Sequence, residues 1–187
     1  MEEEINKAYN IIRQGGIILY PTDTIWGIGC DATNAEAVRR IYDLKQRPDT
    51  HSMLVLIDSA DYLPHYVENL PEVAKDLIAC AVRPLTIIYS GAKNVASNLI
   101  ASDGTLGIRV TCEAFSARLC RLLKKPLVST SANISGQPAP ATFSGISPEI
   151  RRGVDYVVNY RQQETQKGQA SSIIRLGEGG IVKVIRE

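Results

Sequence analysis

The chain has 187 residues, of which 44% are hydrophobic and 22% are charged, and its formal net charge at pH 7 is +1. A chain of this size buries roughly 70% of its unfolded surface, so it needs neither a disulfide nor a structural metal for stability. The near-neutral charge argues against a protein that coats nucleic acid electrostatically. Residues 1–80 nevertheless carry 7 Lys/Arg and 13 Asp/Glu, whereas residues 81–187 carry 14 and 7. This asymmetry keeps a basic, RNA-binding surface open as an alternative.

The cysteines and the N-terminus indicate a cellular compartment. Cys30, Cys80, Cys112 and Cys120 form no C-x-x-C pair and have no metal-ligand spacing. With 2 histidines in the chain, a three-histidine zinc site is excluded. The acidic start Met1-Glu2-Glu3-Glu4 does not resemble a signal peptide, and no apolar run has the length of a membrane span. We therefore expect free thiols, a cytoplasmic location, no membrane association and no metal site made by the protein alone.

The hydrophobic pattern predicts one α/β domain over residues 1–187, with a twisted mixed sheet flanked by helices. Thr33 and Glu36 fit a capping box at the start of a helix that Pro48 ends. The other predicted helices cover residues 2–14, 71–78 and 113–123, with a helical turn at 61–67. The predicted strands cover residues 17–20, 53–57, 85–89, 106–110, 126–128, 154–158, 172–176 and 181–185. The last two form an antiparallel hairpin, whereas alternation of strands and helices earlier in the chain favours parallel pairing. Residues 134–148 are predicted to be a long functional loop.

Polar side chains collect at the ends of these elements, between Leu19 and Leu54. Lys45 and Arg47 stand at a helix end, and His51 precedes an apolar strand. We expect the helix to end between Lys45 and Arg47, so that both cations converge on one anionic ligand as exposed charges that contribute little to folding. Three alternatives remain open: Lys45 could complement the helix macrodipole, Arg47 could be a solvated charge in a loop, and His51 could be a structural residue.

Two further stretches carry polar groups. Arg109 lies inside the predicted strand Gly107-Ile108-Arg109-Val110, where an unpaired guanidinium is costly, so a bound anion or a buried carboxylate must be its partner. The run Ser129-Thr130-Ser131-Ala132-Asn133 places hydroxyl and amide side chains at a strand end, although a plain turn would have the same composition. The sequence contains no P-loop and no nucleophile elbow. The residues therefore favour binding of a substrate with several negative charges.

These motifs resemble the YrdC-type threonylcarbamoyl-AMP synthases. The resemblance rests on Tyr20-Pro21-Thr22-Asp23-Thr24 with Trp26-Gly27-Ile28-Gly29, on Lys45-Gln46-Arg47-Pro48, on Gly107-Ile108-Arg109-Val110, and on residues 129–136. It covers the chain from about Gly15 to Arg186, and it implies a YrdC/RibB-like fold. It also implies synthesis of threonylcarbamoyl-AMP and pyrophosphate from L-threonine, bicarbonate or carbon dioxide, and ATP, with Mg²⁺ arriving with the ATP. The product would serve a separate transferase complex that modifies tRNA adenosine beside the anticodon.

The same resemblance implies roles for individual residues. The catalytic pair would be Lys45 and Arg47. The ATP-binding residues would be Lys45, Arg47, Thr105, Ser131, Asn133 and Arg186. The threonine-binding residues would be Thr22, His51, Arg109, Ser129 and Ser171.

Three departures accompany the resemblance. Arg83-Pro84 stands where the family often has Pro-Gly-Pro, and Trp26 replaces a commoner tyrosine. Longer members also have a second domain that covers the site, so here we expect any lid to come from the chain's own loops or to be absent. The alternatives are an RNA-binding module acting in tRNA or rRNA maturation and an accessory domain of hydrogenase maturation, which normally belongs to a much longer chain. Under the enzyme hypothesis, direct nucleic-acid binding is expected to be weak or absent.

Overall fold

The computed structural model describes residues 1–48, 53–166 and 168–187. The helices are α1 (Glu2–Arg13), α2 (Ala35–Leu44), α3 (Leu63–Tyr66), α4 (Val73–Cys80), α5 (Ala114–Leu123) and α6 (Pro148–Gly153). The strands are β1 (Ile18–Tyr20), β2 (Gly27–Gly29), β3 (Leu54–Ile57), β4 (Leu85–Tyr89), β5 (Leu106–Val110), β6 (Leu127–Ser131), β7 (Tyr156–Val157), β8 (Ser172–Leu176) and β9 (Val182–Arg186). Short 3₁₀ turns lie at Ala60–Tyr62, Ser97–Leu99, Phe143–Gly145 and Glu178–Gly180.

Within this described part, the strands form one sheet of 9 strands in the order β7-β1-β2-β6-β3-β5-β4-β8-β9. The pairs β1/β7, β3/β5 and β4/β8 are parallel, and the other neighbouring pairs are antiparallel. The predicted mixed sheet is confirmed, including the antiparallel hairpin of β8 and β9. The central strands β3, β5 and β6 lie side by side although β6 is distant in sequence, and this arrangement brings their polar residues together.

Helices cover both faces of the sheet because successive strand residues point to opposite sides. Ile18 and Tyr20 of β1 pack in one apolar cluster with α1 and α5, which contributes Phe115. Leu19, between them, packs in the other cluster, with residues of α2 and α6 such as Ile41 and Ile150. The sheet is therefore the middle layer of three, and its buried runs explain why β1 and β3 are continuously apolar.

Strand β2 was not predicted, because Gly27-Ile28-Gly29 is short and rich in glycine, a residue depleted in strands. Ile28 pairs with both β1 and β6, so β2 links the edge of the sheet to its centre. The glycine at position 29 has a steric reason: a Cβ there would lie 2.4 Å from the Val128 carbonyl oxygen and 2.7 Å from Tyr20 Cε1. Any side chain would push the strands apart.

The predicted start of α2 was wrong, whereas its end lies close to the predicted place between Lys45 and Arg47. The N-cap is Asn34, whose Oδ1 accepts hydrogen bonds from the backbone N–H groups of Glu36 and Ala37, and not Thr33. The last helical residue is Leu44 and the C-cap is Lys45, so the chain leaves the helix before Arg47, as expected. The helix ends in a Schellman motif, in which Arg47 N donates to Tyr42 O and Gln46 N to Asp43 O. Gln46 occupies the left-handed position with φ 49°.

Ion pairs join the acidic and basic parts of the sequence. Four basic residues after position 80 contact acidic residues before it: Arg109–Asp23, Arg118–Glu2, Arg121–Asp58 and Lys125–Asp31. The two parts thus interleave in space, so the charge asymmetry of the sequence is partly neutralised. In the described part of the chain, no helix combines the length and apolar character needed to cross a membrane.

Candidate active site

A cleft of about 300 Å³ opens over the central strands. Its lining includes six of the predicted site residues: Arg47, Arg109, Ser129, Ser131, Ser171 and Arg186. They come from the turn after α2, from β5, from β6 and from the two ends of the β8–β9 hairpin. A second cavity of about 300 Å³ shares residues 24–26 and Ala170 with this cleft. The fold therefore collects cations and hydroxyls from distant parts of the sequence at one place.

Arg109 is the most buried cation in the cleft wall, with 3% of its surface exposed. Its Nη2 lies 2.9 Å from Asp23 Oδ1, and the side chain of Asp23 is 16% exposed. Burial raises the pKa of the Asp23 carboxyl, and the Arg109 charge opposes this rise. Of the two predicted kinds of partner, a bound anion or a buried carboxylate, the structure shows a carboxylate. The partner itself was missed, although Asp23 lies in the quoted Pro-Thr-Asp-Thr stretch.

The pair does not use up the hydrogen-bonding capacity of the guanidinium. Arg109 Nη2 lies 3.5 Å from Thr24 Oγ1, and among the described residues Arg109 Nε has no hydrogen-bond partner. Asp23 Oδ1 likewise has none there, so its contact with Arg109 is an ion pair without hydrogen-bond geometry. A buried donor without a partner is costly in the free protein. Because Arg109 also lines the cleft, its guanidinium can attract a carboxylate ligand there.

Arg47 and Lys45 point to different places, which corrects the predicted convergence. Arg47 is partly buried and lines the cleft, and burial lowers its pKa. Lys45 is 1% exposed and does not line the cleft. Its Nζ donates to the carbonyl oxygens of Ser131 at 2.5 Å and Asn133 at 2.6 Å. The expectation that Lys45 is an exposed charge was therefore wrong.

The left-handed Gln46 explains this divergence. It reverses the chain immediately after the helix, so the two neighbouring cations leave the turn in different directions. Burial and the charge of Arg47 lower the pKa of Lys45 to about 8, while its two carbonyl contacts favour the ammonium form.

Serine and threonine hydroxyls line the remaining walls. Ser129 is buried and Ser131 partly buried on β6, opposite β3 and β2 respectively. Ser171 Oγ lies 2.9 Å from Thr86 Oγ1, and its carbonyl oxygen accepts hydrogen bonds from Arg186 Nε and Nη2 at 3.0 and 2.8 Å. Arg186, the last residue of β9, is therefore hydrogen-bonded to the residue just before β8, and its side chain also lines the cleft.

Four predicted residues are not part of the cleft wall. Thr22 lines the second cavity, and its hydroxyl donates to Ile25 O at 2.7 Å. Thr105 Oγ1 donates to Asp103 Oδ1, and Asn133 Nδ2 donates to Ile134 O and Gln137 O. Lys45 is the fourth. The predicted residue His51 lies outside the described residues.

Loops close the sides of the cleft. Ala139 comes from the loop after β6 and Ala170 from the loop before β8, and both line the cleft. Trp26, which also lines it, packs on Phe143 with ring centroids 4.7 Å apart. The contact anchors the predicted long loop beside the cleft. Arg83, the unusual residue of the Arg83-Pro84 departure, lines the second cavity.

Arg161 is a further residue that the sequence did not reveal. Its Nη1 donates to Thr22 O at 3.2 Å, and the guanidinium pairs with Glu113 and Glu164. Through its contact with Thr22, Arg161 stabilises the loop that contains Asp23. No sequence signal marks it, because it stands in an irregular loop with no motif.

Sequence comparison decides the family. The Sua5/YciO/YrdC model, described as "Telomere recombination", matches residues 10–187. The chain belongs to the Sua5/YciO/YrdC family. It is 33% identical over 161 residues to a threonylcarbamoyl-AMP synthase of Pseudoalteromonas translucida, an alignment that covers 84% of this chain and 86% of the relative.

Two solved structures of Sua5/YciO/YrdC proteins share the fold. E. coli YciO superposes with a TM-score of 0.86 at 27% identity, covering 100% of this chain and 90% of YciO. P. abyssi Sua5 complexed with L-threonine has a TM-score of 0.86 at 26% identity, covering 100% of this chain and 54% of Sua5. The chain thus spans about half the length of that Sua5.

Proposed function

We propose that this protein is a threonylcarbamoyl-AMP synthase, which converts L-threonine, bicarbonate and ATP to threonylcarbamoyl-AMP, pyrophosphate and water. The observation that carries the proposal is the cleft in which a buried, incompletely hydrogen-bonded Arg109 lies with Arg47, Arg186 and serine hydroxyls. Curated relatives with threonylcarbamoyl-AMP synthase as their name support it, as does the L-threonine complex of P. abyssi Sua5.

The threonine end of the substrate would lie near Arg109. The carboxylate of an amino acid matches the donors that Arg109 has left, and charge-assisted hydrogen bonds of this kind contribute about 1.5–3 kcal/mol each. Ser129 and Ser171 line the same cleft and would contact the polar groups of threonine. Thr22 would act from the neighbouring cavity, and the role of His51 rests on the family resemblance.

The nucleotide end would lie near Arg47, Ser131 and Arg186. The reaction requires a carbamate oxygen to attack the α-phosphate while pyrophosphate leaves, so charge neutralisation and alignment matter more than a protein nucleophile. The two arginines supply positive charge. Thr105 and Asn133, which lie outside the cleft wall, would support the nucleotide site from behind it, and so would Lys45.

Mg²⁺ would enter with ATP and be held by phosphate oxygens, where it would supply charge neutralisation of the leaving pyrophosphate. The site residues agree with this arrangement, because Asp23, a carboxylate beside the cleft, is already engaged by Arg109. We further propose that the protein acts in the cytoplasm and that its product serves the transferase complex that modifies tRNA.

The test is pyrophosphate release from ATP with each substrate omitted in turn. We expect release only when L-threonine and bicarbonate are both present, with threonylcarbamoyl-AMP as the nucleotide product. Equal release without threonine, or with any amino acid, would contradict the assignment.

Direct RNA binding is expected to be weak and to fall steeply with salt. The four ion pairs between the basic and acidic parts of the chain reduce the charge available for counterion release. Tight RNA binding by the purified protein that resists salt would instead favour the RNA-binding module.

A further inference from the structure

A buried lysine fastens two separate parts of the active-site region together. Lys45 caps the C-terminus of α2, and its Nζ contacts the carbonyl oxygens of Ser131 and Asn133. Its own carbonyl oxygen accepts a hydrogen bond from Ser135 N at 2.8 Å. Side chain and main chain of one residue therefore hold three points of the segment 131–135, which we name the S-x-N turn.

Besides Lys45, the S-x-N turn is held mainly by backbone contacts and packing: Asn133 N donates to Ser131 O at 2.9 Å, and Ser131 pairs with Gly27 of β2. Among the described residues, Asn133 Oδ1 and Ser135 Oγ are buried and have no hydrogen-bond partner. The Asn133 amide group closes only local contacts, to Ile134 O and Gln137 O. Outside the turn, Ala132 N donates to Trp26 O at 3.1 Å. Lys45 thus supplies both of the short, charge-assisted contacts to the turn.

The position of Lys45 also couples the turn to the cleft. Ser131 stands at the end of β6 and lines the cleft, while Arg47 lines it from the Schellman turn two residues after Lys45. A shift of the lysine would move the Ser131 carbonyl and the base of the Arg47 turn relative to each other. This shift would misalign a bound phosphate that contacts Ser131 and Arg47. Small errors in alignment lower reaction rates by large factors.

We propose that Lys45 is a positioning residue, which acts on the nucleotide through the S-x-N turn rather than by touching the phosphates. The part concerning ATP rests on the proposed function. The part concerning the turn does not, because it is a property of the protein without ligands.

Three methionine variants separate the possibilities, because methionine keeps most of the length of lysine and removes the donors. Lys45→Met removes the clamp, and Arg47→Met removes a cation of the cleft wall. Lys75→Met is the matched control, since Lys75 is an exposed lysine paired with Asp61. Lys45→Gln, which retains an amide donor, serves as a second variant should Lys45→Met fail to fold.

The first measurement is hydrogen exchange of the S-x-N turn in the ligand-free proteins, with the Ser135 amide as the reporter. We expect at least tenfold faster exchange in Lys45→Met, a smaller increase in Lys45→Gln, and rates within twofold of wild type in Arg47→Met and Lys75→Met. Wild-type exchange in both Lys45 variants would overturn the proposal.

The second measurement is the KM for ATP and kcat at saturating threonine and bicarbonate. We expect at least a tenfold rise in KM for ATP in both Lys45→Met and Arg47→Met, but altered exchange only in the former. A rise in KM for Lys45→Met with wild-type exchange would show direct contact and overturn the proposal, as would faster exchange with wild-type kinetics. Should the wild-type protein not release pyrophosphate, the proposed function fails, while the exchange measurement still decides whether Lys45 holds the turn.

Discussion

Removal of Asp23, which lies beside the cleft, is expected to be among the most destabilising single changes around the site. Asp23→Ala would leave the Arg109 guanidinium, which is 3% exposed, without its carboxylate partner. Loss of one member of a buried ion pair costs about 3–5 kcal/mol, because the remaining charge stays desolvated. For a chain of this length that corresponds to a fall in melting temperature of roughly 6–20 °C.

Removal of Arg109 instead of Asp23 should cost less stability. A buried carboxyl can bind a proton and become neutral, whereas a guanidinium stays charged. In Arg109→Met, Asp23 loses the charge that opposes its raised pKa, so its pKa rises further. A carboxyl whose folded pKa exceeds its unfolded value makes stability fall as pH rises through that interval. Arg109→Met should therefore regain stability relative to wild type when the pH is lowered from 7 towards 5.

Urea unfolding of the two single variants and of the Asp23→Ala/Arg109→Met double variant tests this reasoning. The double variant should lose less than the sum of the single losses, since it contains no unpaired charge. Arg175→Ala is the control: its pair with Asp103 is 42% and 48% exposed, and its loss should cost no more than about 1 kcal/mol. A loss for Asp23→Ala as small as for this control would refute the argument.

Two further stability predictions concern the backbone and the acid range. Gln46 and Lys124 both have positive φ, 49° and 53°. Glycine avoids the cost of about 1–2 kcal/mol of a left-handed L-residue but loses about 0.5–1 kcal/mol more in chain entropy on folding, so Gln46→Gly and Lys124→Gly should each give a small net rise in stability in thermal melts. Lys124→Gly should do so with wild-type turnover, because Lys124 lies outside the cleft. The Arg40 hydrogen bond lowers the pKa of Asp155, whose Oδ2 also accepts from Ile17 N at 2.7 Å, so Asp155→Asn should cost about 1 kcal/mol at pH 7. That contribution is present above the unfolded pKa of 3.8 and is lost as pH falls through the lower folded pKa, so the urea midpoints of the two proteins should converge towards pH 3.

The fold was largely predictable because its cues are local. Ile5, Ala8 and Ile12 have helical spacing and are all buried on α1. The apolar run of β3 and the glycine-rich hairpin before β9 also lie where they were predicted. By contrast, β2 consists of three residues that gain their partners only when β1 and β6 are in place. A strand that depends on tertiary pairing leaves little trace in sequence.

The site was less predictable, because geometry separates residues that the sequence places together. Lys45 and Arg47 form one short motif, but Gln46 takes a left-handed conformation that favours glycine or asparagine and that no pattern of glutamine indicates. The opposite problem hides Asp23 and Arg109, which are 86 positions apart in the sequence yet 2.9 Å apart in space. Only the physical requirement that a strand arginine have a partner indicated this pair.

The different placements of Lys45 and Arg47 follow from the backbone turn between them. A helix that continued past Lys45 would place Arg47 about 200° further round the helix axis, at the fixed rise of an α-helix, so the two could not serve one site from one side. The Schellman turn replaces this fixed angle: it buries Lys45 against the S-x-N turn and places Arg47 in the cleft wall, so the two cations contact neighbouring structures from different directions. The cost is a left-handed glutamine, of the order of 1 kcal/mol. Strain of this size persists where the surrounding contacts determine the conformation, and here the Lys45 clamp on residues 131–135 is such a contact.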